Sequence, residues 1–353
     1  MTNSDQAHNR SLIGKALRLV ANGLGGCLVI VLALSLWNLA MVSWKHRRNP
    51  VPGEFYTVNG ARMHIDCRGS GSPAVVMEAA ASAPWSSWRK VLPQLSQTTR
   101  VCSYDRAGHG WSEPRGGPRH AEAIARELHS LLDQAGVQRP FIMAGHSAGG
   151  LYVREYAREF PTEVAAVVLI DSTSPLSLDE VPGFRASYEQ DKRNATREMW
   201  EDRLLVWSGW ERIVGHCSVS PKDFRDWTGQ YDAMACRPQY VDTDESELSY
   251  FEQSCEDAAR LISFGKIPLL IVSRDPDLPR AGMTGCQIAR ESVWNREQEE
   301  LKSLSPLSWR VIARGSGHMV PQNRPDVIIR EINLLISYLR GGPEPPFGST
   351  TIN

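Results

Sequence analysis

The pentapeptide Gly145-His146-Ser147-Ala148-Gly149 directly follows the apolar run Phe141-Ile142-Met143-Ala144 and precedes a helix-like segment that opens Leu151-Tyr152-Val153. Strand, tight turn and helix must therefore succeed one another closely, with a serine at the apex. A side chain at such an apex sits on strained backbone, so its neighbours must be small for strand and helix to approach. Gly145, Ala148, Gly149 and Gly150 meet that requirement. Taken alone, the five residues also suit a glycine-rich loop with an incidental serine, so the reading depends on their surroundings.

Those surroundings alternate strand and helix. Glu54 to Val58 and Arg62 to Cys67 read as a hairpin turned at Asn59-Gly60. Ala74 to Glu78, Arg100 to Tyr104, Phe141 to Ala144, Val164 to Ile170, Pro268 to Ser273 and Ser308 to Ala313 bring the count to about eight strands. Between them, His120 to Ala135, Leu151 to Phe160, Val293 to Leu304 and Val327 to Leu339 carry apolar residues at helical spacing. This alternation predicts an α/β fold, a mostly parallel sheet with helices on both faces. A chain of 353 residues then holds one large domain with appendages. The net charge of −1 offers no electrostatic reason to expect a nucleic-acid partner. Neither Cys-x-x-Cys nor His-Glu-x-x-His spacing occurs, and Gly60, Gly69 and Gly71 match no dinucleotide fingerprint, so no metal or cofactor is expected.

Serine is a weak nucleophile until a base takes its proton. Of nine histidines His318 is best placed, in Gly317-His318 between the strand-like Trp309 to Ala313 and the helix-like stretch from Pro325. A carboxylate must then orient the imidazole. The loop Arg274-Asp275-Pro276-Asp277, after a buried strand, offers two: the Asp-Pro pairing favours Asp275, and the count from Pro268 that is usual in similar folds favours Asp277. Asp275 is taken as the acid, with Asp277 as its alternative and the other of the two capping the turn. Asp171, closing Val167 to Ile170, is a third candidate that reads rather as a structural carboxylate at a strand end.

With nucleophile, acid and histidine in that chain order, the sequence from about Phe55 to Leu339 resembles the α/β-hydrolase superfamily, in its serine-nucleophile branch of esterases and lipases. Val75-Val76-Met77-Glu78, Tyr104-Asp105-Arg106-Ala107-Gly108-His109-Gly110-Trp111-Ser112, the turn around Ser147 and Gly317-His318 carry the resemblance. It implies a Ser-acid-His hydrolase with an inserted cap and no cofactor. Epoxide hydrolases and haloalkane dehalogenases of the same superfamily place aspartate at the elbow, where this chain has Ser147. The resemblance also implies an oxyanion hole from the N–H groups of Ala148 and Ala81. Family members often have His-Gly in the early loop, whereas this chain reads Glu78-Ala79-Ala80-Ala81-Ser82, so a left-handed conformation at Ala80 would be strained. With the family's sheet order, Cys67 and Cys102 lie on neighbouring strands and form the first candidate disulfide.

Residues 174–264 break the rhythm with Trp200, Trp207, Trp210, Trp227 and many charges, and read as a helical cap between the core segments 45–173 and 265–340. Single tryptophans there fit cap packing better than substrate contact. Residues 341–353, rich in glycine and proline, read as a flexible tail.

After an N-terminal tail of residues 1–18, Leu19 to Trp44 runs 26 residues without Asp, Glu, Lys or Arg and closes on Lys45-His46-Arg47-Arg48. About 20 apolar residues span a bilayer, so 19–44 is expected to be a single-pass transmembrane anchor. A cleaved signal would have a shorter apolar region and a small-x-small site. Basic residues flank both ends and leave orientation open. Six of seven cysteines lie outside the segment, which suits an extracytoplasmic catalytic domain, buried free thiols being the ordinary alternative.

The expectation is a membrane-anchored serine hydrolase acting on a small-molecule carboxylic ester, its partners that substrate and the bilayer. Amide or peptide hydrolysis, cofactor-free haloperoxidase-like or C–C bond hydrolysis, and a non-catalytic binding role on the same scaffold are the alternatives. Oligomeric state is not readable.

Overall fold

The computed structural model describes residues 3–216, 234, 237–278 and 283–353. Two compact units are present, one of residues 51–199 and 239–353 and the other of residues 1–50 and 200–238.

The larger unit is built on a nine-stranded sheet: β1 (Glu54–Val58), β2 (Ala61–Arg68), β3 (Val75–Glu78), β4 (Val101–Tyr104), β5 (Phe141–His146), β6 (Val164–Ile170), β7 (Leu269–Arg274), β8 (Ser308–Ala313) and β9 (Thr350–Ile352). Their order across the sheet is β1-β2-β4-β3-β5-β6-β7-β8-β9. β2 pairs antiparallel with β1 and β4, and every later pairing is parallel. The period of two in strand side chains divides the core. Phe141, Met143, Val167, Leu169, Leu269 and Ile271 join the layer that includes the helices Ala121–Gln134 and Gly149–Glu159. Ile142, Ala144, Val168, Ile170, Leu270 and Val272 join the opposite layer with the helix Pro325–Leu339. Strands apolar on both faces are what a parallel sheet covered by helices demands.

Residues 341–353 depart from the expected flexible tail. Thr350–Ile352 adds a ninth strand parallel to β8, with Arg310 N–H donating to the Ser349 carbonyl at 3.0 Å. The glycines and prolines make the turn, and the free edge of β8 supplies backbone partners that local composition does not reveal. The expected Cys67–Cys102 disulfide is present: the two cysteines face each other in the antiparallel β2–β4 register. Cys27, Cys255 and Cys286 are free thiols, and Cys217, Cys236 and Trp227 lie outside the described residues.

The smaller unit consists of a long helix, Asn3–Arg48, with part of residues 200–238. Its Ile13–Arg48 portion is long and apolar enough to cross a membrane. Asn38 is buried in this unit: its Nδ2 donates to the Val206 carbonyl at 2.9 Å, and its Oδ1 accepts from Arg212 Nε at 2.7 Å.

Candidate active site

β5 ends at His146 and the helix Gly149–Glu159 begins three residues later, leaving Ser147 on the turn with φ of +54°. Left-handed backbone at a residue with a Cβ costs energy and marks a position held by its surroundings. The hold is visible: Ser147 N–H donates to Ile170 O, and its carbonyl accepts from Gly150 N–H and Thr173 N–H. Small neighbours are mandatory. A Cβ on Gly145 would lie 2.6 Å from the Gly149 carbonyl oxygen, and one on Gly149 would lie 2.5 Å from that of Ala79.

His318 closes on this serine from the loop after β8, its Nε2 3.0 Å from Ser147 Oγ. Its Nδ1 lies 2.6 Å from an oxygen of Asp171. A carboxylate can only accept, so Nδ1 carries the proton and Nε2 is left to receive the serine's.

The carboxylate that meets His318 is therefore Asp171, at the end of β6, and neither of the two favoured from the sequence. Asp275 is engaged elsewhere, one oxygen accepting from Gly315 N–H at 2.8 Å and the other from Asp277 N–H at 2.9 Å. Its own N–H donates to the Ser316 carbonyl, so Asp275 ties the loop after β7 to the loop that delivers His318. Asp277 is exposed. The reason is one of strand-end position. β6 adjoins β5 with His146 opposite Ile170, which sets Asp171 level with the serine turn.

Asp171 is fully buried at φ of +40°. Burial works against its ionised form, but the His318 hydrogen bond, the Arg274 charge and the Arg274 N–H together hold the carboxyl below its ordinary range. Trp294, which no sequence signal singles out, donates its indole N–H to the second oxygen of Asp171 at 3.0 Å and sets its ring edge-on to His318. His146 donates Nε2–H to the His318 carbonyl at 2.9 Å. Burial and the neighbouring His318 lower its pKa to about 4, so it is neutral and its role is to hold the loop. Beside His318, a recess of about 150 Å³ is lined by Leu278, Met283, Pro276 and Glu291 among others.

The loop after β3 takes its strained backbone two places later than anticipated: Ser82, at φ of +55°, is left-handed, and Ala80 is not. Serine bears that conformation because its carbonyl is held by the Tyr240 hydroxyl. Among the described residues, no protein group accepts from the N–H of Ala81 or Ala148. Arg106 braces the loop from below, donating to the carbonyls of Ala79 at 3.1 Å and Ala80 at 2.9 Å. The same guanidinium pairs with Glu78 on β3 and with Glu247 on the helix Pro238–Ser249. Glu78 also accepts from the Tyr104 hydroxyl. Burial opposes charge on Glu247, but Arg106 and His109 overcome it and hold the carboxyl far below its usual range. Gly108 lets that helix approach, since a Cβ there would lie 1.9 Å from Thr243 Oγ1. Metal-ligating side chains gather at His120, Glu122 and Asp257, where they are already paired with one another and with Arg260.

Residues 73–209 match the family model of the alpha/beta hydrolase fold. An AB hydrolase superfamily protein of Gibberella zeae is 38% identical over 291 residues, spanning 76% of this chain and 87% of the relative. The chain thus belongs to the α/β-hydrolase superfamily, and its neighbours there include hydrolases. An uncharacterised protein of Schizosaccharomyces pombe is 30% identical over 167 residues, 39% of this chain but only 31% of that protein's length. Among solved structures, a thermophilic esterase from Thermogutta terrifontis (malate bound) shares the fold with a TM-score of 0.58 at 18% identity, covering 82% of this chain and 99% of the esterase.

Proposed function

We propose that the chain is a membrane-anchored serine hydrolase that cleaves carboxylic esters through an acyl-enzyme on Ser147. The observation that carries the reading is the unbroken relay from Ser147 Oγ through His318 to buried Asp171, at 3.0 and 2.6 Å. Ser147 Oγ attacks the ester carbonyl as its proton passes to His318 Nε2, and Asp171 stabilises the imidazolium without taking the proton. The oxyanion is received by the N–H groups of Ala148 and Ala81. Collapse expels the alcohol, which takes the proton from His318. Water then attacks the acyl-enzyme, giving its proton to His318, and as the acyl–Oγ bond breaks His318 returns that proton to Ser147 Oγ, releasing the acid and the free serine. No step needs a metal or an organic cofactor.

The apolar helix Ile13–Arg48 supports anchoring, and the Cys67–Cys102 disulfide supports a catalytic domain on the oxidising side of the membrane. Ester rather than amide is favoured by the proximity to lipid that an anchor brings, and a substrate panel decides it. The test is labelling of the detergent-solubilised full chain by a fluorophosphonate. Wild type labels stoichiometrically, whereas Ser147→Ala and His318→Ala do not. A folded wild-type chain that fails to label overturns the relay as catalytic and leaves a binding role. Turnover of p-nitrophenyl amides in preference to esters overturns the ester assignment alone.

A further inference from the structure

The helix Phe184–Trp207 ends on a row of large apolar side chains. Trp200, Leu204 and Trp207 follow at spacings of four and three, hence on one helix face. They are 69%, 62% and 47% exposed. After the turn at Ser208 and Gly209, Trp210, Ile213 and Val214 continue the exposed apolar surface. A surface of this kind, rich in tryptophan, needs an occupant.

What it is fastened to identifies that occupant. Asn38 lies within the 26-residue apolar stretch, where an unsatisfied amide is costly, and both its ends are taken by this segment: Nδ2 by the Val206 carbonyl and Oδ1 by Arg212. The turn is shaped for that contact. Gly209, at φ of +75°, packs so closely on the long helix that a Cβ would lie 3.1 Å from both the Leu34 carbonyl oxygen and the Asn38 Cβ. Asn38 precedes Lys45 by seven residues, about 10 Å along a helix. Once Lys45 to Arg48 stand at the headgroups, a segment gripping Asn38 lies at the boundary of headgroup and acyl chain. Tryptophan is favoured at that depth, and amphipathic helices embed there.

We propose that Trp200, Leu204, Trp207, Trp210, Ile213 and Val214 form a second membrane contact, an interfacial element embedded in the leaflet at the Lys45 end of the anchor and pinned to it through Asn38. The proposal rests on the reading of residues 19–44 as an anchor. It adds that the lipid also holds residues 200–214, which lie more than 150 positions further along the chain.

The experiment reconstitutes the full chain into bilayers of phosphatidylcholine and of phosphatidylcholine brominated on one acyl chain, and compares tryptophan fluorescence. Trp37 and Trp44 report the anchor; Trp200, Trp207 and Trp210 report the patch. Trp207→Phe/Trp210→Phe should remove roughly two fifths of the quenched emission if the five emit alike, and Trp37→Phe/Trp44→Phe a similar share. Asn38→Leu, fully compatible with a span, should lose the Trp207/Trp210 share and keep the Trp37/Trp44 share. If the Trp37/Trp44 pair accounts for all quenching, the patch proposal is overturned while the anchor stands. If bromine quenches no tryptophan, the anchor fails and the proposal with it.

Discussion

Asp171 and Asp275 end adjacent strands, and only one of them reaches His318. The difference is testable with single-atom changes. Asp171→Asn leaves the imidazole without a partner that fixes the required tautomer, and kcat should fall by about 10³- to 10⁴-fold. Asp275→Asn keeps an oxygen for the Gly315 or Asp277 N–H, and kcat should stay within about tenfold of wild type. Equal losses in steady-state ester hydrolysis would refute the assignment of Asp171. Arg106 supplies a second prediction at this scale. Arg106→Lys retains a charge between Glu78 and Glu247 but lacks the planar fork that also holds the Ala79 and Ala80 carbonyls. It should lower kcat by roughly ten- to a hundredfold with little change in KM, as expected if the loop it braces carries the proposed oxyanion donor Ala81. A raised KM at constant kcat would place Arg106 in substrate binding instead.

At the scale of elements, each site residue occupies the C-terminal end of a parallel strand or the loop beyond it: Ser147 after β5, Asp171 after β6, His318 after β8. Helices secure those ends. From the helix Gly285–Glu300, Trp294 holds Asp171, Gln298 donates to the Ser172 carbonyl, and Glu297 accepts from the Ser177 hydroxyl at 2.8 Å. Burial pushes the Glu297 carboxyl up from 4.5 to about 7. Between those values the folded chain keeps a proton that the unfolded chain has released. Its contribution to stability is therefore full below about pH 4.5 and lost as pH rises through about 7. Glu297→Gln preserves an acceptor for Ser177 and carries no charge. It should raise Tm at pH 8 by roughly a few degrees and leave Tm at pH 4 nearly unchanged. A shift of equal size at both pH values would contradict a protonated Glu297. The helices around the site were legible as periodic apolar segments, but Trp294 and Glu297 were not, because nothing in their spacing shows which strand end their helix crosses.

For the whole molecule, the disulfide closes a separation of 35 residues across β2 and β4. Its removal by Cys67→Ser/Cys102→Ser should cost about 3–4 kcal/mol if the cross-link acts through the unfolded chain, read from the denaturant midpoint at constant slope. A loss below about 1 kcal/mol would show that strand pairing alone holds this edge. If the catalytic domain stands in an oxidising compartment, Cys67 and Cys102 in the native membrane also resist alkylation until a reductant is added.

The sequence by itself determined most of the elements and singled out Ser147 and His318, which the fold brings together. Strand periodicity, small residues around Ser147 and the chain order of Ser147 and His318 are local properties, and local sterics and hydrophobic pattern suffice to read them. The ninth strand and the choice of carboxylate that meets His318 were decided only by tertiary structure. Pairing of residues 350–352 depends on the open edge of β8, far away in the chain. The loop carrying His318 sits beside β7 in the sheet, yet Asp275, in the loop after β7, is consumed in tying that loop down. His318 thereby reaches past it to Asp171, since a hydrogen bond forms where the folded backbone brings donor and acceptor within about 3 Å.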